Sequence, residues 1–266
     1  MSLPEPGHAD SGVLFAIENR VARITLDRPH RRNAIDVTMA NALTAIWRRL
    51  DEDEEILAAV VDAADCGVFC AGMDLKDMAA IRAEGDDPLN RMEDPFQERM
   101  RAVSKPIVCA LVGHFTGAGV LIAMGADIRV GLAGTSAAIS EVRFGRGTSW
   151  AVPLLWMLPQ PILSEMMLTG DPYPVEQLAR QGFVNHLETS VAAVRARSMQ
   201  LARRIAENAP LSLRAAKASL AAGMDLGCAA GLARAAELHR PVYASGDAGE
   251  GARAFAEKRA PRWAGH

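Results

Sequence analysis

Three apolar runs constrain the fold of this chain more than any other feature. They cover residues 56–63 (ILAAVVDA), 106–113 (PIVCALVG) and 128–133 (IRVGLA). Such short, continuous runs are typical of strands that are buried on both faces of a parallel sheet. Between them, apolar residues recur every three or four positions over residues 37–50, and residues 120–127 form an apolar helical segment. The alternation predicts an α/β fold with a mostly parallel sheet.

Shorter patterns complete the predicted organisation. Residues 13–17 and 21–26 are strand-like and close enough to form a hairpin, whereas the charged residues 80–97 have no steady period and are predicted as a loop. Two short helices separated at Pro159 and Pro161 follow. The remaining chain is rich in alanine and predicts helices over residues 175–180, 191–208, 211–224, 229–242 and 249–258.

These patterns predict one continuous domain with three parts. Residues 1–12 are expected to form a flexible N-terminal tail, residues 13–200 an α/β core, and residues 201–266 a C-terminal helical region. The length is sufficient to bury a sizeable core without disulfides.

Composition and charge exclude several classes of protein. Of the 266 residues, 50% are apolar and 23% are charged, which excludes a disordered chain. The net charge of −3 provides no positive field for nucleic acid or an anionic membrane. No apolar run approaches the ~20 residues of a membrane span. We therefore expect neither a nucleic-acid partner nor a membrane partner.

Cysteine and histidine usage predicts a reducing compartment and no metal centre. The four cysteines include no C-x-x-C pair, and the six histidines are scattered without a metal-binding spacing. The N-terminal residues are polar and lack the apolar segment of a secretion signal. These features predict a cytoplasmic protein.

Two glycine-containing turns, each directly after a buried strand, are the main candidates for a functional site. The first covers residues 69–75 (FCAGMDL) and the second residues 113–119 (GHFTGAG). A helix that begins after such a turn leaves backbone N–H groups without partners. Two turns on neighbouring strands can direct two donors at one oxygen, as in an oxyanion hole. Either turn alone is weak evidence, and GAG lacks the third glycine of a dinucleotide-binding fingerprint.

Five motifs occur in an order that resembles the crotonase superfamily, the enoyl-CoA hydratase/isomerase family. They are ITLDRPHRRNAID, VFCAGMDLKDM, KPIVCALVGHFTGAGVLIAMGADIRV, LTGDPYPVEQLARQGFVNH and EGARAFAEKRAPRW. The resemblance implies a crotonase-like ββα spiral core, C-terminal trimerisation helices, and a homotrimer or a dimer of trimers. It also implies an acyl-CoA thioester substrate, as in fatty acid metabolism, with no cofactor besides the coenzyme A that the substrate carries.

The resemblance also assigns the catalytic groups. The backbone amides of Met73 and Ala118 are expected to form the oxyanion hole, and Glu141 to be the acid/base. Hydratases of this family use two glutamates, and Leu121 occupies the place of the other one. One carboxylate suits a proton shuttle, so double-bond isomerisation is favoured. The alternatives are hydration with a partner among His114, Thr116, Thr148 and Ser149, and a degenerate acyl-CoA-binding protein.

Coenzyme A carries phosphates and requires cations. By resemblance, the cluster of Arg28, Arg31 and Arg32 is expected to contact it, since guanidinium groups suit phosphate recognition. Asp74 is also expected at the coenzyme A ester, where it braces its own turn. The other residues expected at the coenzyme A or acyl group are Ala34, Ala71, Leu75, Lys76, His114, Leu121, Phe255 and Lys258.

Overall fold

The computed structural model describes residues 11–266, apart from the side chain of Leu89. The strands are Val13–Glu18 (β1), Val21–Leu26 (β2), Ala58–Ala63 (β3), Val68–Cys70 (β4), Ile107–Leu111 (β5), His114–Thr116 (β6), Ile128–Leu132 (β7), Ser136–Ala138 (β8), Tyr173–Pro174 (β9) and His186–Glu188 (β10). The α-helices are Val37–Glu52 (α1), Leu75–Ala83 (α2), Gln97–Ala102 (α3), Ala118–Gly125 (α4), Gln160–Thr169 (α5), Val175–Arg180 (α6), Val191–Ala206 (α7), Pro210–Ala244 (α8) and Gly246–Ala256 (α9). Short 3₁₀ segments cover Pro29–Arg31, Pro88–Arg91, Glu141–Phe144 and Ser149–Trp156.

The strands form two sheets that share the successive turns of the chain. The larger sheet has the order β1-β2-β3-β5-β7-β10, and the smaller has the order β4-β6-β8-β9. The predicted hairpin β1–β2 is antiparallel, and the other pairs of the larger sheet are parallel. From β3 to β8 the strands alternate between the sheets, and helices follow each pair of strands. This is the α/β class that the sequence patterns predicted, in the arrangement of ββα turns that the family resemblance implied.

Continuous burial explains why the long strands were predictable. Every residue of β3 and β5 is buried, and all are apolar except Asp62, whose carboxylate pairs with Arg23 and Arg195. Each large aliphatic or aromatic side chain buried in this way contributes about 1.5–3 kcal/mol. The amphipathic helix α1 covers the sheet with Leu43, Ile46, Trp47 and Leu50, which are all fully buried.

The smaller sheet was not predicted from the sequence. Strands β4, β6 and β8 have three residues each and β9 has two, which is too short for a periodic pattern. The segment after β5 was expected to turn directly into a helix, whereas it forms β6 first. The predicted loop over residues 80–97 includes the end of α2 and a 3₁₀ segment.

The C-terminal part is helical, as predicted. Gly227 interrupts α8 with φ of 73°, so the two predicted helices are joined across a break. Helix α7 packs on the larger sheet and continues across the predicted boundary between residues 200 and 201. Large side chains on α8 and α9 are exposed in the single chain, such as Leu232 and Phe255. Trimerisation through this region stays a prediction.

Within residues 11–266, no helix is long and apolar enough to cross a bilayer. Residues 1–10 of the predicted tail lie outside the described residues. The last two residues of that segment, Ser11 and Gly12, are buried. The amide of Asp27 donates to the Gly12 carbonyl at 2.7 Å, which ties this segment to the end of β2.

Candidate active site

The two glycine turns lie against each other. A Cβ atom placed on Gly117 would be 3.6 Å from the Gly72 Cα, and one placed on Gly72 would be 3.9 Å from the Ala118 nitrogen. Both glycines have positive φ, 97° at Gly72 and 50° at Gly117. Each directly precedes a predicted donor, Met73 or Ala118. Within residues 11–266 neither of these amides has a hydrogen-bond acceptor. The pair meets the requirement of two unpaired N–H groups in one small region.

Ile35 fixes the first turn. Its amide donates to the Gly72 carbonyl at 2.9 Å, and its carbonyl accepts from the Asp74 amide at 2.7 Å. These two bonds flank Met73 and leave its own N–H outside the pairing. The Asp74 carboxylate then caps α2 by accepting from the amides of Lys76 and Asp77. The turn is therefore rigid on both sides of the predicted donor.

Close packing of α4 against β4 fixes the second turn. A Cβ atom on Gly119 would lie 2.8 Å from the Cys70 carbonyl oxygen, so only glycine allows this approach. The GAG sequence thus serves packing, in agreement with the absence of a dinucleotide fingerprint. Burial raises the pKa of Cys70 to about 12, and its thiol therefore remains protonated at neutral pH.

Glu141 lies beside the second turn. It begins the 3₁₀ segment Glu141–Phe144, and its Oε1 would be 3.2 Å from a Cβ atom on Gly117. Its Oε2 is buried and has no hydrogen-bond partner. Burial raises the pKa of Glu141, because it disfavours the charged form of the carboxyl group. A carboxyl group with a raised pKa next to two free amides is suited to take a proton from a bound substrate and to return it.

One large cavity contains these groups. It has a volume of about 1260 Å³. The predicted residues that line it are Arg32, Ala71, Met73, Leu75, Ala118, Leu121 and Glu141. Its walls also include the side chains of Met78, Phe96 and Trp150, which makes much of the surface apolar. Sequence reasoning missed Gln97 and Trp150, because nothing in their local spacing connects α3 and the segment Ser149–Trp156 with the glycine turns.

Arg28 braces the first turn beside the cavity lining. Its Nη2 lies 3.0 Å from Asp36 Oδ2 and 3.1 Å from Asp74 Oδ2, and its Nη1 donates to the Ala34 carbonyl at 2.6 Å. The side chain is only 15% exposed. Since two carboxylates already neutralise this guanidinium, a phosphate would have to compete with them. The geometry supports the bracing role that was expected of Asp74.

His114 lies on β6, outside the cavity lining. Its Nδ1 accepts a hydrogen bond from the Ser136 amide at 3.1 Å, so the neutral ring carries its proton on Nε2. Among the other candidate partners of Glu141, Thr116 and Ser149 line the cavity, and Thr148 does not. The Thr116 hydroxyl donates to the Ala71 carbonyl at 3.2 Å and thereby links the two turns.

Four further predicted contacts lie on the surface of the single chain, whereas a fifth, Ala34, is buried and does not line the cavity. Arg31 and Lys76 are exposed and do not line the cavity. Phe255 is 88% exposed near the end of α9, and Lys258 follows this helix. Their assignment to coenzyme A stays a prediction.

Asn33 supports the loop before the first turn and was not singled out from the sequence. The side chain is fully buried, donates to the carbonyls of Ala64 (3.0 Å) and Val68 (2.9 Å), and accepts from the Arg28 amide (3.1 Å). Its φ of 52° is tolerated by asparagine better than by most residues. Three local contacts and the backbone conformation therefore depend on one side chain.

We expect Asn33→Ala to lower the free energy of unfolding by about 3 kcal/mol. The substitution leaves buried carbonyl groups without the donor that Asn33 provides, and it places alanine at positive φ. Urea denaturation measures the change. Asn19→Ala is the matched control: Asn19 also has positive φ (50°) but is exposed. A loss at Asn33 no larger than the loss at Asn19 would show that the buried contacts contribute nothing.

The raised pKa of Glu141 predicts a pH-dependent effect on stability. In the folded state this carboxyl holds its proton to higher pH than in the unfolded state, because burial disfavours the anion. Its ionisation therefore destabilises the fold as pH rises above the ordinary carboxyl range. We expect Glu141→Gln to raise the melting temperature relative to the wild type more at about pH 8 than at about pH 4. Equal differences at both pH values would contradict the raised pKa.

Comparison with known proteins agrees with this architecture. Residues 16–266 match the family model described as enoyl-CoA hydratase/isomerase. The chain is 32% identical over 256 residues to (E)-benzylidenesuccinyl-CoA hydratase of Thauera aromatica, with 95% of this chain and 99% of that protein covered. It is also 32% identical over 257 residues to carnitinyl-CoA dehydratase of Proteus mirabilis, with coverage of 92% and 95%.

A solved structure extends the comparison to three dimensions. The enoyl-CoA hydratase from Mycobacterium tuberculosis H37Rv superposes with a TM-score of 0.86 at 31% identity, over 96% of this chain and 100% of that chain. The fold is therefore that of a crotonase-type α/β enzyme. The chain belongs to the enoyl-CoA hydratase/isomerase family, and the resemblance inferred from its motifs is confirmed.

Proposed function

We propose that this enzyme stabilises a thioester enolate, with Glu141 as its single acid/base and the amides of Met73 and Ala118 as its oxyanion hole. The observation that carries the proposal is the position of the Glu141 carboxylate against Gly117, at the junction of the two turns. Each preorganised donor contributes roughly 3–4 kcal/mol to such a step.

Double-bond isomerisation of a 3-enoyl-CoA ester is the reaction that this arrangement favours. The Glu141 carboxylate removes a proton from C2, and the C2–H electron pair moves toward the thioester to give a dienolate. The two amides hold the negative oxygen. Glu141 then returns the proton to C4, so that the C3=C4 double bond is replaced by C2=C3. Leu121 leaves no second carboxylate at its position to hold a water molecule.

Hydration is the second candidate function, because the relatives named above are a hydratase and a dehydratase. It adds water across the C2=C3 bond and requires a second polar group to orient the water. Thr116 and Ser149 line the cavity and are the available hydroxyl groups among the earlier candidates.

We also propose how coenzyme A is bound, how the chains assemble and where the enzyme acts. Coenzyme A enters as part of the substrate, without another cofactor, and its phosphates contact Arg31 and Arg32 at the exposed edge. In a homotrimer or a dimer of trimers, Phe255 and Lys258 cover the adenine of a neighbouring subunit. The enzyme acts in the cytoplasm.

Absorbance of the conjugated thioester separates these functions. We expect trans-3-hexenoyl-CoA to gain this signal, which reports isomerisation. Loss of the signal from crotonyl-CoA would report hydration instead. If the absorbance changes with neither ester while calorimetry shows that both esters bind, the isomerase and hydratase proposals fail for these substrates. The result would then favour the acyl-CoA-binding alternative or a substrate with another acyl group.

A further inference from the structure

Arg146 lines the cavity without an anionic partner. It follows the 3₁₀ segment Glu141–Phe144, and its amide donates to the Glu141 carbonyl at 3.0 Å. This bond fixes the backbone of Arg146 to the segment that carries the proposed acid/base. Among residues 11–266, its guanidinium forms neither an ion pair nor a hydrogen bond. Arg143 on the same segment differs, because it pairs with Asp171 and does not line the cavity.

The other arginines of the cavity lining lie elsewhere or are already neutralised. Arg101 pairs with Asp225 at 2.8 Å. Arg32 is hydrogen-bonded through its carbonyl to the first glycine turn, and Arg82 lies in the last turn of α2, the helix that follows this turn. That is the side to which the coenzyme A phosphates are assigned above. Within the described lining, Arg146 is therefore the only cation that the segment after the second turn contributes.

The carboxylates of the lining do not neutralise Arg146. Asp94 accepts a hydrogen bond from the Phe96 amide at 2.8 Å, and Glu98 lies in the first turn of α3. Neither of them forms an ion pair with Arg146. An anion that enters the cavity can therefore reach this guanidinium without displacing a carboxylate of the protein, whereas Arg28 is held by two carboxylates.

The wall around Arg146 is otherwise rich in exposed apolar side chains. Phe144 is 64% exposed and Trp156 is 60% exposed, and both line the cavity together with Val152. Apolar surface of this kind gains from contact with the carbon chain of an acyl group. A hydrocarbon chain alone would cover the guanidinium without giving it a partner, which is unfavourable. The wall thus suits a carbon chain that also carries an anion.

We infer that Arg146 is a specificity-determining residue that binds a second carboxylate on the acyl group, so that the preferred substrates are mono-coenzyme A esters of dicarboxylic acids. The inference rests on the proposed function, in which C2 lies beside Glu141 and the rest of the acyl group extends past the segment that follows it. A guanidinium presents its N–H donors in a planar fork that matches both oxygens of a carboxylate.

Isothermal titration calorimetry with saturated esters tests the inference without turnover. Adipyl-CoA is compared with hexanoyl-CoA, and succinyl-CoA with butyryl-CoA, because each pair differs only by a carboxylate in place of the terminal methyl group. We expect the wild type to bind the carboxylated ester of at least one pair about tenfold more tightly, as charge-assisted hydrogen bonds allow. Arg146→Met should remove this preference and leave the Kd of hexanoyl-CoA nearly unchanged. Arg146→Glu should reverse the preference.

Arg143→Met is the matched control, because it removes the same charge from the same segment but outside the cavity lining, and it should keep the preference. Equal affinities within both pairs for the wild type overturn the inference, as does a preference that persists in Arg146→Met or is lost equally in Arg143→Met. If Arg146→Met does not fold, an unchanged preference in Arg146→Glu overturns it.

Two further outcomes separate this inference from the proposed function. An equal loss of affinity for hexanoyl-CoA in Arg146→Met would place the guanidinium at a phosphate of coenzyme A and overturn the inference alone. If no ester binds to the wild type, the inference and the proposed function both fail. A preference that depends on Arg146 in a protein without turnover supports the substrate class while the proposed reaction fails.

Discussion

Glu141→Gln should lower kcat by about 10³-fold, because glutamine matches the shape of glutamate but cannot accept the proton from C2. The Kd for an acyl-CoA ester should change only a few-fold, since the oxyanion donors are backbone groups of other residues. Steady-state kinetics with the responsive ester and isothermal titration calorimetry measure the two quantities separately. The combination of lost turnover and retained binding is specific to a group that acts in the chemical step.

Glu165→Gln provides the control for this prediction. Glu165 lies on α5, is exposed and does not line the cavity, so the same substitution there should leave kcat near the wild-type value. Retained turnover in Glu141→Gln would remove Glu141 from the mechanism. A joint loss of binding and turnover would instead indicate a structural role for its carboxylate.

Gly117→Ala should lower kcat by about 10²-fold, because it displaces one oxyanion-hole donor. The new Cβ atom would lie 3.2 Å from Glu141 Oε1 and 3.6 Å from the Gly72 Cα, and φ at this position is 50°. Both effects rotate the following peptide, which carries the Ala118 amide, away from its present direction. Kinetics with the responsive ester measure the loss.

Gly182→Ala separates local strain from damage to the site. Gly182 also has positive φ (86°), but a Cβ atom there meets nothing within 4 Å. It lies after α6, away from the cavity lining. We expect a loss of stability in this variant with near-normal kcat. If Gly117→Ala keeps full activity, or if Gly182→Ala loses as much, the Ala118 amide is not a donor to the reaction.

Much of the site could be predicted because its signals are local. Two glycines after apolar strands indicate two turns with unpaired amides, and Glu141 is the only carboxylate between Asp127 and Glu165. The motif resemblance then assigned roles to these positions. The long buried strands were equally visible, because every residue of β3 and β5 must be apolar or neutralised to lie between other layers.

Other features depend on contacts that the sequence does not display. The strands of the smaller sheet are too short for a period, and their pairing follows from the path of the longer strands. Arg28 was expected to contact phosphate by the family resemblance, and this stays a prediction; its neighbours Asp36 and Asp74 are brought to it only by the fold. Likewise, the bond from Gln97 to Trp150 joins residues that are 53 positions apart.

Deuterium incorporation tests the central claim most directly. When trans-3-hexenoyl-CoA is incubated with the enzyme in D₂O, the account predicts that mass spectrometry detects deuterium in the acyl group with wild-type protein and none above background with Glu141→Gln. This holds whether or not a shifted double bond accumulates, because exchange requires only removal of the C2 proton and its return. Absence of exchange in the wild type, or equal exchange in Glu141→Gln, would contradict enolate formation by Glu141.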